Sequence, residues 1–270
     1  MYAFSVVAVI KDCADTITEW IDHYLAEGIN HFYLVDTGSS DDILDVLDTY
    51  KRFVTIVSYK QPNAAGSGDV LNEHYLNVVK AESEWVLFAD INEYMYSRNQ
   101  DCRITDVLKR LRDEVEKVWI PRSHFGSNNH FTQPPGIVDS FTKKQALVDG
   151  NVGVDGKIIC RTANLVRIIE EGSDVQLSKN DVYHLCNGQR AANFKFTEKA
   201  YARINIHMNC YFPMSEEYYE RQMVAMYGKD TPAYDAAMKR FGEYNDIYNQ
   251  VEDTSLAEKL YSYDNAIYGS

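Results

Sequence analysis

Apolar positions recur along the first ninety residues in two alternating rhythms. From Phe4 to Ile10 every position but Ser5 is apolar, which predicts a short buried strand. Residues Asp15 to Glu27 place Ile17, Trp20, Ile21, Tyr24 and Leu25 at helical spacing, and Gly28 is a natural stop. His31–Asp36 (HFYLVD) predicts a second strand. TGSSDD follows as a turn whose Ser and Asp side chains can cap a helix carrying Ile43, Leu44, Val46 and Leu47. A third strand is expected over FVTIVSY, a helix over Val70–Ala81 and a fourth strand over Trp85–Ala89.

Strand and helix thus alternate three times, which predicts right-handed crossovers, a parallel sheet and helices on both faces. Ligands of such sheets gather at the carboxyl ends of the strands. Asp36 and Asp90 each close a strand, so both are expected on that edge. In WVLFADINEYM the apolar run stops abruptly at Asp90-Ile91-Asn92-Glu93. Either these oxygen-bearing side chains cap a helix, or they face a ligand at the mouth of the sheet.

Beyond a helix expected over Arg103–Val115 the texture changes. KVWIPRSHFGSNNHFTQPPGIVDSF joins a strand to a long loop, and loops of that length are more often functional than idle. Strands are expected at Lys157–Cys160, Leu165–Ile169 and Val182–Cys186, and helix from Ser215 onward. Half of the twenty tyrosines fall between Tyr211 and Tyr268. Packing of helices against the body is their favoured reading, stacking on sugar rings the other. The expected division is a domain over 1–214 and a helical extension over 215–270 packed on it.

Composition narrows the function. The 270 residues, 45% hydrophobic, suffice for a sizeable core. A net charge of −13 with no Lys/Arg cluster makes nucleic acid a poor partner. Five dispersed cysteines without a CxxC spacing argue against a disulfide framework or a zinc ribbon. Met1 leads into YAFSVVAVI with no basic n-region, and that run is far shorter than a membrane span, so a cytoplasmic protein is the expectation. Oligomeric state is not legible. GSGDVL (Gly66–Leu71) follows QPNAA rather than a strand and lacks a third glycine, so it is no dinucleotide fingerprint. GxxxxGK[ST], HExxH and GxSxG are all absent. The acidic turn is the stronger signal, because Mg²⁺ and Mn²⁺ favour oxygen ligands and often take one or two side chains plus substrate phosphates.

VAVIKDCADTITEWIDHYLAEGINHFYLVDTGSSDD resembles the opening of the family 92 glycosyltransferases and their GT-A relatives, V-x-x-x-K/R-N-E, E-W-I-x-x-H/Y and G-V-x-H-F-Y-I-Y-D-N-x-S-x-D-D. WVLFADINEYM falls where that family has W-x-x-F-x-D-x-D-E-F. HFGSNNH, GKIICR and INIHMNCYFPMSEEYYERQ resemble its later stretches, in the same order, across about residues 4–222. The resemblance implies a GT-A-like (Rossmann-type) mixed sheet flanked by helices, with a helical tail outside it. It implies transfer of a sugar from a nucleotide-sugar donor, a UDP-sugar before a GDP-sugar, to a glycan or other hydroxyl acceptor. Lys11, Asp12, Asp36, Asp90 and Lys157 would meet the donor. Asp90, Asn92 and the late histidine His184, with His207 its rival, would hold Mn²⁺ or Mg²⁺. Asp139 and His130 are the candidate general bases, each with an ordinary loop role as its alternative, and a solvated surface lysine is the alternative for Lys157. The chain departs from the family at Asn92, a neutral oxygen in place of the second acid, and at Cys13 in place of a glutamate. A non-catalytic carbohydrate- or nucleotide-binding protein on the same scaffold is the alternative function, and a nucleotidyltransferase a weaker third.

Overall fold

The computed structural model describes residues 1–59, 67–147, 152–153, 155–169, 174–191 and 194–268, so that Gly66 of GSGDVL lies outside them. Contacts gather the chain into two compact units: residues 1–122 with 150–208, and residues 123–149 with 209–270.

The first unit holds the body of a nine-stranded sheet. Its strands are β1 (Tyr2–Ile10), β2 (His31–Asp36), β3 (Val54–Ser58), β4 (Ser83–Phe88), β5 (Glu93–Ser97), β6 (Lys117–His124), β7 (Gly156–Arg161), β8 (Tyr183–His184) and β9 (Ile206–Cys210). Their spatial order is β3-β2-β1-β4-β7-β6-β9-β5, with β8 paired to β6. β1 pairs in parallel with β2 and β4, and β2 with β3, as alternation of strand and helix requires. β7 then runs antiparallel to both β4 and β6, so the sheet is mixed. All six residues of HFYLVD are buried, which is why that strand reads as a continuous apolar run rather than an alternating one.

The helices are α1 (Ile17–Ala26), α2 (Ile43–Asp48), α3 (Ser67–His74), α4 (Leu76–Glu82) and α5 (Ile104–Leu108). The single helix expected over Val70–Ala81 is broken between α3 and α4. The break falls at Tyr75, whose phenol reaches down to donate to the carbonyls of Leu34 (2.8 Å) and Thr55 (3.1 Å). α1 buries Ile17, Trp20, Ile21, His23 and Tyr24. It ends where the Ile29 amide returns to the Tyr24 carbonyl at 3.0 Å across Gly28, at φ +89°. A side chain at Gly28 would also meet Thr105 Oγ1 at 2.4 Å. The helix expected over Arg103–Val115 closes early, at Leu108.

The second unit has a core of its own in Tyr219, Met223, Ala237 and Phe241, with Phe212, Tyr234, Met238 and Tyr244 packed on it. Tyr219, Tyr234 and Tyr244 thus pack within this unit's own core. Its helices span Glu216–Tyr227, Pro232–Tyr248 and Ser255–Tyr268. Thr231 accepts from the Tyr234 amide as an N-cap, with Pro232 in the first turn. All five cysteines of the chain are buried. Among the described residues no helix is long and apolar enough to cross a membrane.

Candidate functional site

The carboxyl edge of the parallel strands carries two connected features, a pinned loop and an acidic turn. In the loop, Asp36 closes β2 and is buried; its Oδ1 accepts from the Ser39 hydroxyl (2.6 Å), the Ser39 amide (2.9 Å) and the Gly38 amide (3.2 Å). The Ser39 hydroxyl in turn accepts from the Asp12 amide at 2.9 Å. Asp12, held at φ +46°, takes the Ser40 amide at 2.6 Å and the Ser40 hydroxyl at 3.0 Å, and Asp41 takes the Ala14 amide at 2.8 Å. Burial opposes the Asp12 carboxylate, but the Ser40 hydrogen bonds outweigh it and hold the group below its ordinary value. The turn after β1 and the loop after β2 are thereby tied into one rim, with exposed Lys11 beside it. Cys13 lies buried beneath, its thiol pushed up to about 12 by burial and then by Asp41 and Asp15.

The acidic turn is built from α1. The Trp20 indole donates to the backbone carbonyls of Asp90 (3.1 Å) and Glu93 (3.0 Å), and the Tyr24 phenol to that of Glu93 (2.9 Å). His23 Nε2 sits 2.7 Å from the Met95 carbonyl. The turn closes on itself: the Glu93 amide donates to the Asp90 carbonyl, and the Asp90 amide to Glu93 Oε2, both at 3.0 Å. Glu93 therefore points inward. It is wholly buried, takes Lys157 at 3.1 Å and pairs with Arg122, which also pairs with Asp155. Lys157 reaches Asp90 Oδ2 at 3.5 Å. The Asp90 side chain remains 62% exposed. The turn does not cap a helix; Glu93 opens β5 instead.

Sheet register explains the gathering. Leu87 faces Ile159 across β4 and β7, and Lys157, two residues back along the antiparallel strand, arrives beside the end of β4. Lys157 also faces Ile120 on β6, two residues before Arg122. Gly156 permits the close approach, since a Cβ there would meet Trp119 Nε1 at 2.3 Å and the Ile120 carbonyl at 2.5 Å. Lys157 is thus not a solvated lysine, nor is it open to a ligand. At 3% exposure it lies beneath the acids. Burial alone would lower its ammonium, but Glu93 and Asp90 more than offset this and hold it above its ordinary value, fully charged. Burial and then the Glu93 charge raise the Asp90 carboxyl, against Lys157 and Arg122; its exposure to water tempers that shift.

His184 is the expectation that the geometry corrects. It pairs with Val118, which faces Ile159 and, beyond it, Leu87. His184 therefore lies three strands away in the row of Leu87, roughly 14 Å across the sheet at about 4.8 Å per strand, and short of Asp90 along it. No single ion can bridge the two. Its ring is buried with Nδ1 at 3.0 Å from the Val182 carbonyl. The rival His207, buried in β9, sets its ring edge-on to Tyr201. His130 and Asp139 belong to the second unit and are engaged there. His130 Nε2 is 3.1 Å from the Ser140 carbonyl, and Asp139 accepts from the Tyr261 phenol at 2.9 Å.

A divalent cation at this turn would have few protein ligands to draw on, the open Asp90 carboxylate and the neutral oxygen of half-buried Asn92. Glu93 is spent on Lys157 and Arg122, and among the described residues no three His, Cys, Asp or Glu side chains gather around one point. Donor phosphates would complete such a shell.

A family-wide sequence model described as "Glycosyltransferase family 92" matches residues 9–169, more than half of the chain, and takes in the pinned rim, α1, the acidic turn and β7. The chain belongs to glycosyltransferase family 92. Its mixed sheet flanked by helices is the architecture that the resemblance implied. Among solved structures the chain is similar to S. aureus TarS residues 1–349 in complex with UDP-GlcNAc, at 18% identity over 90% of this chain and 72% of that one, TM-score 0.41. It is also similar to glucosyl-3-phosphoglycerate synthase from Mycobacterium tuberculosis in complex with Mn²⁺, UDP and glucosyl-3-phosphoglycerate, at 19% identity over 47% and 45%, TM-score 0.31. No curated protein matches the sequence.

The residues that sequence reasoning missed are Glu93 as an ion-pair hub, Arg122 and Asp155. One signal was available: a glutamate directly after an aspartate turn, entering an apolar strand, must find a cation or stay neutral.

Proposed function

We propose that this glycosyltransferase takes its sugar from a UDP-sugar and passes it to a hydroxyl acceptor such as a glycan. The donor's diphosphate would lie at the Asp90–Asn92 turn and its nucleoside at the rim of Lys11, Asp12 and Asp36. One observation carries the reading: Asp90 is the open carboxylate of a turn whose other charges are buried and paired, on the same edge as the Asp36 rim. Mn²⁺ or Mg²⁺ held by Asp90 and Asn92 would supply Lewis-acid stabilisation of the leaving diphosphate. The chain's own part is positional. Trp20 and Tyr24 fix the turn's backbone, and Lys157 holds one Asp90 oxygen while the side chain stays largely open to water. Asp36 shapes the rim through Ser39.

Calorimetric titration with UDP and with GDP, each with and without Mn²⁺, tests this. UDP binding strengthened by Mn²⁺ and lost in Asp90→Ala is expected. Failure of both nucleotides to bind under any condition would turn attention to the carbohydrate-binding arm of the second reading, a non-catalytic carbohydrate- or nucleotide-binding protein, which Asn92 favours.

A further inference from the structure

We infer that Asn92 makes the divalent cation travel with the donor: the Asp90 turn takes Mn²⁺ together with a nucleoside diphosphate and does not hold it alone. The inference rests on the nucleotide-sugar reading of this edge and goes further, to the order in which the edge can be filled.

The supply of ligands carries the case. A cation that resides in a protein needs several oxygens aimed at one point, and its affinity climbs with their charge. Of the three carboxylates in this cluster, two have both oxygens committed. Glu93 gives Oε1 to Arg122, and Oε2 to Lys157 and the Asp90 amide. Asp155 gives Oδ2 to Arg122, and Oδ1 to the Gly156 amide at 2.8 Å. Only Asp90 is left, and it is shared: the Lys157 ammonium already stands 3.5 Å from its Oδ2. A free cation arriving there meets one anionic ligand and a like charge beside it. Half-buried Asn92 adds an uncharged oxygen where a second acid would have tipped that balance. A nucleotide tips it instead. Its diphosphate brings anionic oxygens of its own, so cation and nucleotide each raise the other's affinity, by the same factor.

The test titrates the full chain with Mn²⁺ alone, read by the EPR signal of free Mn²⁺, and with UDP by calorimetry in EDTA and in Mn²⁺. Without nucleotide the wild type is expected to hold Mn²⁺ no tighter than about millimolar. UDP is expected to bind about tenfold or more tightly in Mn²⁺ than in EDTA. Asn92→Asp should tighten the binding of Mn²⁺ alone about tenfold, roughly 1.4 kcal/mol, and Asp90→Ala in that background should remove the gain. A wild type that holds Mn²⁺ alone at about micromolar concentration, and loses it in Asp90→Ala, overturns the inference and leaves the donor reading standing. So does UDP binding that is equal in the two media, or a folded Asn92→Asp that gains no Mn²⁺. A wild type that binds no UDP at all overturns the donor reading itself. Should Asn92→Asp not fold, the two wild-type titrations decide the matter.

Discussion

Two lysines of the first unit are equally buried, at 3% exposure, and each meets two carboxylates, yet they sit on neighbouring strands three register positions apart and do different work. Lys117 opens β6, and all its donors are spent: on Asp174 (2.8 Å), Asp181 (2.9 Å) and the Val175 carbonyl (2.8 Å), with the Tyr183 ring 4.1 Å away. Lys157, at the carboxyl edge, has one buried partner in Glu93 and one largely open partner in Asp90. A closed cluster of this kind is a strut. One that leaves a carboxylate facing outward is the back wall of a site. What separates them is the exposure of the partner, not the burial of the lysine.

The comparison breaks first at Asp90. Asp90→Ala should lower sugar transfer by about a thousandfold or more, the scale of losing a principal electrostatic group in a transfer site, while circular dichroism and Tm stay near wild type because the side chain is mostly in water. A large fall in Tm would make Asp90 a structural partner after all. Lys117→Met should do the reverse. Leaving the partly exposed Asp174 and Asp181 uncompensated and the Val175 carbonyl without its donor should cost about 1–3 kcal/mol, read by urea unfolding, whereas the folded protein should bind UDP as the wild type does. Next is Trp20→Phe, which removes the indole donor from two carbonyls of the acidic turn. Stability should fall by about 1–3 kcal/mol, and donor KM should rise more than kcat falls, since the turn loosens without losing its carboxylate.

The outcome of these experiments turns on features that were unevenly legible in the sequence. HFYLVD and the strand to Ile10 stood out, because buried parallel strands are apolar throughout. With them came the shared edge of Asp36 and Asp90. Glu93–Ser97 did not read as a strand: all five residues are buried, but the segment mixes Glu and Ser with Tyr and Met and shows no alternation. The fate of Lys157 was illegible for a different reason. Its burial is set by β7 lying between β4 and β6, a pairing of segments about seventy and about forty residues distant. The FGSNNH loop likewise looked free for chemistry, yet the Ser127 and Asn128 amides donate to Asn245 and Asn249, 118 and 121 residues further on. Local pattern reveals elements; it does not reveal which charge will be buried by a strand that returns much later.

The smallest expected effect sits inside the strut. The Tyr183 phenol donates to Asp174 Oδ2 at 2.6 Å, completing the shell around Lys117. Burial, then the Asp174 hydrogen bond, raise the phenol above its ordinary 10.0. Burial works against the Lys117 ammonium, but Asp174 and Asp181 outweigh it and raise that group above 10.5. Both protons are held more tightly in the folded chain, so both contribute stability that is complete at neutral pH and fades as pH rises through the raised values. Tyr183→Phe should therefore cost about 0.5–1.5 kcal/mol at pH 7 and progressively less above pH ~10, where the phenol of the unfolded wild type begins to lose its proton while the folded one still holds it. Urea unfolding of both proteins at pH 7 and at pH ~10.5 reads the difference. A gap that widened with pH would mean that the phenol is a stronger acid in the folded chain than in the unfolded one, and that Lys117 rather than Asp174 dominates its surroundings.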